Sequence, residues 1–226
     1  MKRENFWRST FYWFSHGLIR IWLRLRFRFS VTGAERIPPT GGLILCANHA
    51  SYLDPPALGC AIPWRIVHFM ARNTLYSNPF GRFFFKHAQV IPIDRTRGDL
   101  AALRTAIHDL KAGKTIGIFP EGTRSPDGKL QEAKGGIGFL LAKGNVPVLP
   151  VYIAGTHQAF PRGASRFRSA RISIHIGDPI PPAEVLAVMK DHRDYASVGA
   201  LVMSRIAALD PALPPVPPEP PRIAAG

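Results

Sequence analysis

Carboxylates and cysteines are scarce in this sequence. Fifteen Asp and Glu stand against 29 Lys and Arg, a formal net charge of +14. Such an excess calls for an anionic partner: nucleic acid, an anionic membrane surface or a phosphorylated substrate. Two cysteines, Cys46 and Cys60, make neither a disulfide framework nor a zinc spacing, which suits a reducing compartment. Cys46 lies in the apolar run "LILCA" and reads as a buried structural thiol. No long apolar run is present either. The longest near the start, Phe11 to Ile19, is broken by Ser15 and His16 and closed by Arg20. A membrane-spanning helix needs roughly 20 apolar residues, and a signal peptide would carry no arginines through its apolar region and would end in a small-residue cleavage site. No internal repeat occurs.

The first 28 residues hold seven Lys/Arg, one acid and interleaved aromatics. Arg20 and Arg24 share one helical stripe, while Trp7, Phe11, Phe14, Leu18, Ile21, Trp22 and Leu25 fall on the others. This predicts, over residues 1–23, an amphipathic helix lying in a membrane interface, with Trp at headgroup depth and Arg snorkelling. The alternative is an amphipathic helix docked on the protein's own core. From Arg24 the period changes to two in "RLRFRFSV", which predicts a strand with one wet face.

Downstream, short β-branched or apolar runs recur: "LILCA" (43–47), "IVHFM" (66–70), "QVIPI" (89–93), "TIGIF" (115–119), "VPVLPVYI" (146–153) and "RISIHI" (171–176). Helical patterns fall between several of them. Leu100, Leu103, Ile107 and Leu110 share a face, with Asp99 as its cap; "EAKGGIGFLLAKG" and the series Tyr195, Val198, Val202, Ile206, Leu209 give two more. Strands alternating with helices predict an α/β domain over 24–209 with a largely parallel central sheet flanked by helices. The tail, residues 210–226, carries seven prolines and reads as an extended segment.

Three loops follow three predicted strands: "NHASYLD" after "LILCA", "DRTRGD" after "QVIPI" and "PEGTRSPDGK" after "TIGIF". A parallel sheet delivers all three to one edge, where ligands of such sheets gather. In the first loop, His49 has an unperturbed pKa of about 6.5, suited to proton abstraction, and a carboxylate five residues on can hold its ring in the useful tautomer. The same stretch also describes a helix start: Asp54 before Pro55-Pro56 is a cap followed by first-turn prolines, and Ser51-x-x-Asp54 resembles a capping box. No nucleophile elbow is present, and His49 with Asp54 are too few for a metal site. Arg95 and Arg97 can clamp a phosphate; Gly122 and Gly128 allow close backbone approach, Arg124 supplies charge and Glu121 can accept from a hydroxyl. Each loop also has an ordinary reading, as a surface ion pair for Arg95 with Asp94 or Asp99 and as a Pro-Asp-Gly turn after Ser125.

Four blocks in order, "NHASYLD" (48–54), "VIPIDR" (90–95), "FPEGTRS" (119–125) and "VPVLPVYI" (146–153), resemble the lysophosphatidic acid acyltransferase family of glycerolipid acyltransferases. The resemblance runs from about residue 28 to about residue 180, and no motif residue departs from it. It implies transfer of a fatty acyl group from acyl-carrier protein or coenzyme A to the sn-2 hydroxyl of 1-acyl-sn-glycerol 3-phosphate, or by the same chemistry to another acceptor such as a lyso-ornithine lipid. It further implies His49 as base with Asp54 orienting it, and Arg95, Glu121, Gly122, Thr123 and Arg124 as acceptor-binding residues. Pro150 and its neighbours would shape the core or the acyl path. The implied partners are a lysophospholipid, an acyl thioester and an anionic membrane surface, with no nucleic acid, metal or cofactor. The expected location is the cytoplasmic face of the cell membrane, held peripherally.

Overall fold

The computed structural model describes residues 3–72, 90–93 and 100–212. The loop carrying Arg95 and Arg97, the cap Asp99 and most of the proline-rich tail lie outside the described residues. Seven strands form one sheet: β1 (Ser30–Thr32), β2 (Leu43–Ala47), β3 (Val67–Arg72), β4 (Ile91–Ile93), β5 (Thr115–Ile118), β6 (Val148–Ala154) and β7 (Ser173–Ile176), in the order β1-β7-β6-β2-β5-β3-β4. Every pairing is parallel except β6 with β7. The architecture is therefore the expected α/β fold with a mostly parallel sheet between helices.

β2 is central, and its period of two divides the core. Leu43, Leu45 and Ala47 pack with Leu58, Ile62, Val67 and Leu149 on one face, covered by α1 (Arg3–Phe27) and α2 (Asp54–Ala61). Ile44 and Cys46 pack on the other with Ile116, Leu110, Leu140 and Val202, covered by α3 (Leu100–Lys111), α4 (Gly135–Gly144) and α7 (Tyr195–Ala207). The described residues also form two short helices, α5 (Thr156–Ala159) and α6 (Pro182–Ala187), and a 3-10 turn, Ala34–Arg36. A strand buried on both faces has no wet face to show, which is why "LILCA" is an unbroken apolar run. Pro150 stands opposite Cys46, buried in β6, and belongs to the core.

Two local readings are corrected. Residues Arg24 to Phe27 are the last turn of α1, not a strand, and only Ser30–Thr32 are extended. Leu23 and Phe27, four apart and both fully buried, hold that turn on the core while Leu25 between them is 82% exposed. The chain leaves the helix at Arg28, which takes a left-handed φ of 48°. On α3 the deepest residues are Ala102, Ala106 and Leu110, with Leu103 and Ile107 at their flank. Small side chains let the helix approach the sheet closely. The α4–α7 crossing uses the same device, since a Cβ on Gly138 would lie 2.1 Å from the Tyr195 carbonyl oxygen.

α1 docks one side on the domain, the alternative reading of its sequence, and leaves the other side exposed. Its inner stripe, Tyr12, His16, Leu23 and Phe27, docks on the domain: Val67 N–H donates to the Tyr12 hydroxyl at 3.2 Å, and the Cys60 thiol donates to the His16 carbonyl at 3.6 Å. Burial holds the His16 imidazole below its ordinary range and pushes the Cys60 thiol up to about 12. Cys46, buried still more completely, is pushed up further, so neither cysteine is a nucleophile near neutral pH. The outer side exposes Phe14, Leu18, Ile21 and Leu25 as a ridge. At 100° per residue, Trp13, Arg20 and Arg24 flank it on one side and Trp22 and Arg26 on the other. Among the described residues no helix is long and apolar enough to cross a membrane.

Candidate active site

The parallel register brings the ends of β2 and β5 side by side, with Cys46 opposite Ile118, and the chains leaving them meet at His49. β4 runs parallel to β3 and ends at Ile93. The turn that carries His49 is prepared one residue earlier. The Asn48 side chain donates to the Ile153 carbonyl at 3.0 Å and accepts from the Ile153 N–H at 2.7 Å. An amide thus carries the β2–β6 ladder one step beyond the strand and frees the backbone to turn.

Three N–H groups converge on one oxygen of Asp54. Oδ2 accepts from Ala50 N–H and Ser51 N–H and pairs with His49 Nδ1, each at 2.7 Å. The carboxylate is wholly buried, while the His49 side chain keeps 17% of its surface exposed. The bond to Ser51 N–H is half of a capping box; the other half is replaced, because Ser51 Oγ accepts from Leu53 N–H at 3.1 Å and donates to the Phe160 carbonyl at 2.7 Å. Asp54 opens α2 as its first residue, followed by Pro55 and Pro56. Asp54 is not the expected N-cap, since that position is Leu53 and has no side-chain cap bond; the carboxylate instead serves the turn before the helix and the histidine. With Nδ1 held, His49 Nε2 makes no hydrogen bond to a described residue and is the nitrogen left for a substrate proton.

The loop after β5 fixes His49 from the other side. His49 N–H donates to Glu121 Oε1 at 3.0 Å, and Ser125 N–H donates to the His49 carbonyl at 2.7 Å. Phe119 stacks on the imidazole with centroids 4.1 Å apart and planes 18° from parallel, and Phe69 backs it at 6.1 Å. Glu121 is 1% exposed, and its Oε2 has no hydrogen-bond partner among the described residues. Burial, with the nearby Asp54 carboxylate adding to it, raises the Glu121 carboxyl to about 7, against the pull of the His49 N–H. Glu121 therefore has a duty at His49 beyond the expected one of meeting a substrate hydroxyl.

Gly122 stands at φ 65°, where its N–H reaches back to the Phe119 carbonyl at 2.9 Å; Thr123, half-buried, follows in the same loop. Arg124 lies with Cζ 3.5 Å from the ring centroid of Tyr52, and its Nη1 is buried without a hydrogen-bond partner. The segment after Ser125 is the expected tight turn, with Asp127 Oδ1 accepting from Ser125 Oγ and Lys129 N–H. Of the predicted residues, His49, Asp54, Glu121, Gly122, Thr123 and Arg124 thus come together at one sheet edge. The sequence reading gave no role to Phe119 or Tyr52, although both lie inside the "FPEGTRS" and "NHASYLD" blocks.

An imidazole held by a buried carboxylate, with a free nitrogen beside an unpaired guanidinium, can deprotonate a hydroxyl on an anionic molecule. Residues 28–154, more than half of the chain, match the sequence model of the Acyltransferase family. The chain belongs to that family. This acyltransferase is 27% identical over 190 residues to the 1-acyl-sn-glycerol-3-phosphate acyltransferase of Bacillus subtilis, covering 84% of this chain and 92% of that one. It is 29% identical over 157 residues to the human 1-acyl-sn-glycerol-3-phosphate acyltransferase alpha, covering 68% of this chain and 55% of the relative. For the chloroplastic LPAT1 of Arabidopsis thaliana the identity is 27% over 172 residues, covering 72% and 48%. The acyltransferase thus spans most of the bacterial relative and about half of the human and plant ones. Among solved structures, the LPA acyltransferase PlsC of Thermotoga maritima is similar with a TM-score of 0.73 and 28% identity, over 95% of this chain and 86% of that one. The chain is thus an acyltransferase with an α/β fold similar to that structure.

Proposed function

We propose that the enzyme transfers a fatty acyl group from a carrier-protein or coenzyme A thioester to the sn-2 hydroxyl of 1-acyl-sn-glycerol 3-phosphate, giving phosphatidic acid for phospholipid biosynthesis. The observation that carries this reading is the 2.7 Å bond between His49 Nδ1 and Asp54 Oδ2, set beside the unpaired Arg124 guanidinium. His49 Nε2 takes the proton of the acceptor hydroxyl as its oxygen attacks the thioester carbonyl. Asp54 stabilises the imidazolium so formed, in the manner of a triad without its serine. Collapse of the tetrahedral intermediate breaks the C–S bond, and the departing thiolate takes the proton from Nε2. A thioester is already activated, so the step needs no metal, cofactor or covalent acyl-enzyme.

The acceptor's phosphate falls to Arg124 and to Arg95 from the loop after β4, with the backbone at Gly122 and Thr123 alongside. Glu121 Oε1 holds the His49 backbone, and the Glu121 loop lines the place of the glycerol. An acceptor carrying an acyl chain is delivered from a membrane. The outer ridge of α1 between its Trp and Arg flanks would lie in the headgroup region of an anionic leaflet, placing the enzyme peripherally on the cytoplasmic face of the cell membrane.

The test is an acceptor panel: purified enzyme with labelled acyl-carrier protein or acyl-coenzyme A and, in turn, lysophosphatidic acid, lysophosphatidylethanolamine, glycerol 3-phosphate and lyso-ornithine lipid. Fastest turnover on lysophosphatidic acid is expected. Turnover confined to a phosphate-free acceptor would overturn the assignment.

A further inference from the structure

Between Glu132 and Asp178 the chain has no carboxylate, and between Glu4 and Glu35 it has none either. Folding brings these two stretches together. The segment "PRGASRFRSAR" (161–171) connects α5 to β7 and exposes Arg162, Arg166, Arg168 and Arg171. It is fastened to the end of α1: Ile172 N–H donates to the Phe27 carbonyl at 2.9 Å and Arg26 Nη2 donates to the Phe167 carbonyl at 3.3 Å. Phe167, 45% exposed in the middle of the arginines, packs edge-on to Trp22 at 5.3 Å. On its other side it packs on Phe160 at 4.6 Å, whose carbonyl is bonded to Ser51 in the catalytic turn. Among the described residues none of the four arginines is in an ion pair.

We propose that this arginine loop is a second lipid-contact element, a shelf that continues the outer face of α1 and binds the phosphate groups of anionic phospholipids. The inference rests on the peripheral-membrane part of the function proposed above and adds a surface to it. Four guanidinium groups with no acid among them are attracted to an anionic surface and can each grip a phosphate with paired N–H donors. An exposed aromatic set among them is the composition of a segment seated at headgroup depth. An acidic carrier protein would also be drawn to the charge. The lipid surface is favoured because Phe167 is continuous with Trp22 and the apolar ridge, which a headgroup layer accommodates together.

The experiment compares the full chain with R162Q/R166Q/R168Q and with the charge-conserving R162K/R166K/R168K. Each is sedimented with phosphatidylcholine vesicles containing or lacking phosphatidylglycerol, and each is assayed for acyl transfer in neutral detergent micelles. All three positions are exposed, so folding is checked by an unchanged melting curve. The Gln variant is expected to bind anionic vesicles about a hundredfold more weakly, with neutral-vesicle binding and micellar turnover kept, and the Lys variant to retain most of the affinity. Unchanged binding of the Gln variant to anionic vesicles overturns the proposal. So does a raised KM for the carrier-protein donor alone, which would make the loop a carrier-protein dock. Absence of wild-type binding to any vesicle overturns both the shelf and the membrane reading, whereas loss of wild-type turnover on lysophosphatidic acid strikes the acceptor assignment and leaves the shelf standing.

Discussion

Arg124 and Tyr52 face each other across the two loops that meet at His49, the guanidinium carbon 3.5 Å from the centre of the phenol ring. The ring holds a flat cation in one plane, and a cation over an aromatic face gains about 0.5–2 kcal/mol. Tyr52→Ala should therefore raise the acceptor KM by about two- to thirtyfold and leave the thioester KM unchanged. Tyr52→Phe keeps the face and should behave as wild type. Initial-rate kinetics with each substrate varied in turn decides it, and an equal rise in both KM values would remove Tyr52 from acceptor binding.

Asp54 gathers three donors, so its loss has two separable effects. Asp54→Ala leaves two buried backbone N–H groups without an acceptor, at about 1–3 kcal/mol each, and frees the His49 ring. Denaturant unfolding should show the stability loss, and turnover should fall by more than instability explains. His49→Ala removes only the base; about a hundred- to ten-thousandfold loss of kcat is expected with the fold intact. Persistent turnover in His49→Ala would refute the catalytic assignment.

Glu121 makes stability depend on pH. Its folded carboxyl is raised to about 7 by burial, above its unfolded value, so folding favours the protonated form. The corresponding stability is fully present below about pH 4.5 and is lost as pH rises through about 7. Glu121→Gln, whose amide oxygen can still accept from His49 N–H, lacks this titration. Wild type minus variant stability should fall by about 2–3 kcal/mol across that window, as measured by urea unfolding at several pH values. A flat difference would show that the carboxyl is not raised.

Phe119 is the other restraint on the imidazole. Phe119→Leu keeps apolar volume but loses the stacked face, and an aromatic pair is worth about 0.5–1.5 kcal/mol beyond its area. A fall in kcat of about two- to tenfold with KM values unchanged is expected, and the same assays read it.

What the sequence made legible was whatever depends on short range. The buried strands announce themselves as apolar runs, and His49, Asp54 and the prolines of α2 are five to seven residues apart, so their turn and the helix start could be anticipated, though the cap position itself falls at Leu53. The stack of Phe119 on His49 could not, because the two are joined through the register of β2 with β5, and which side of β5 a ring leaves from is a tertiary matter. The pairing of Tyr52 with Arg124 has the same origin. The alternation in "RLRFRF" misled for a different reason: Leu25 is apolar yet faces away from the core, so apolarity there does not mark the inside. On α3 the alanines went unremarked because closeness of packing, not side-chain size, selects the buried face.

One helix serves as both wall and keel. Because α1 contributes Leu23 and Phe27 to the interior, clipping it away would open the domain, at about 2–5 kcal/mol for each large side chain lost. On the membrane reading proposed above, a protease that removed α1 would therefore ruin the domain as well as release it. Detachment without ruin has to be written on the outside, as in Ile21→Glu with Leu25→Glu, which should abolish vesicle sedimentation while the melting curve stays where it was.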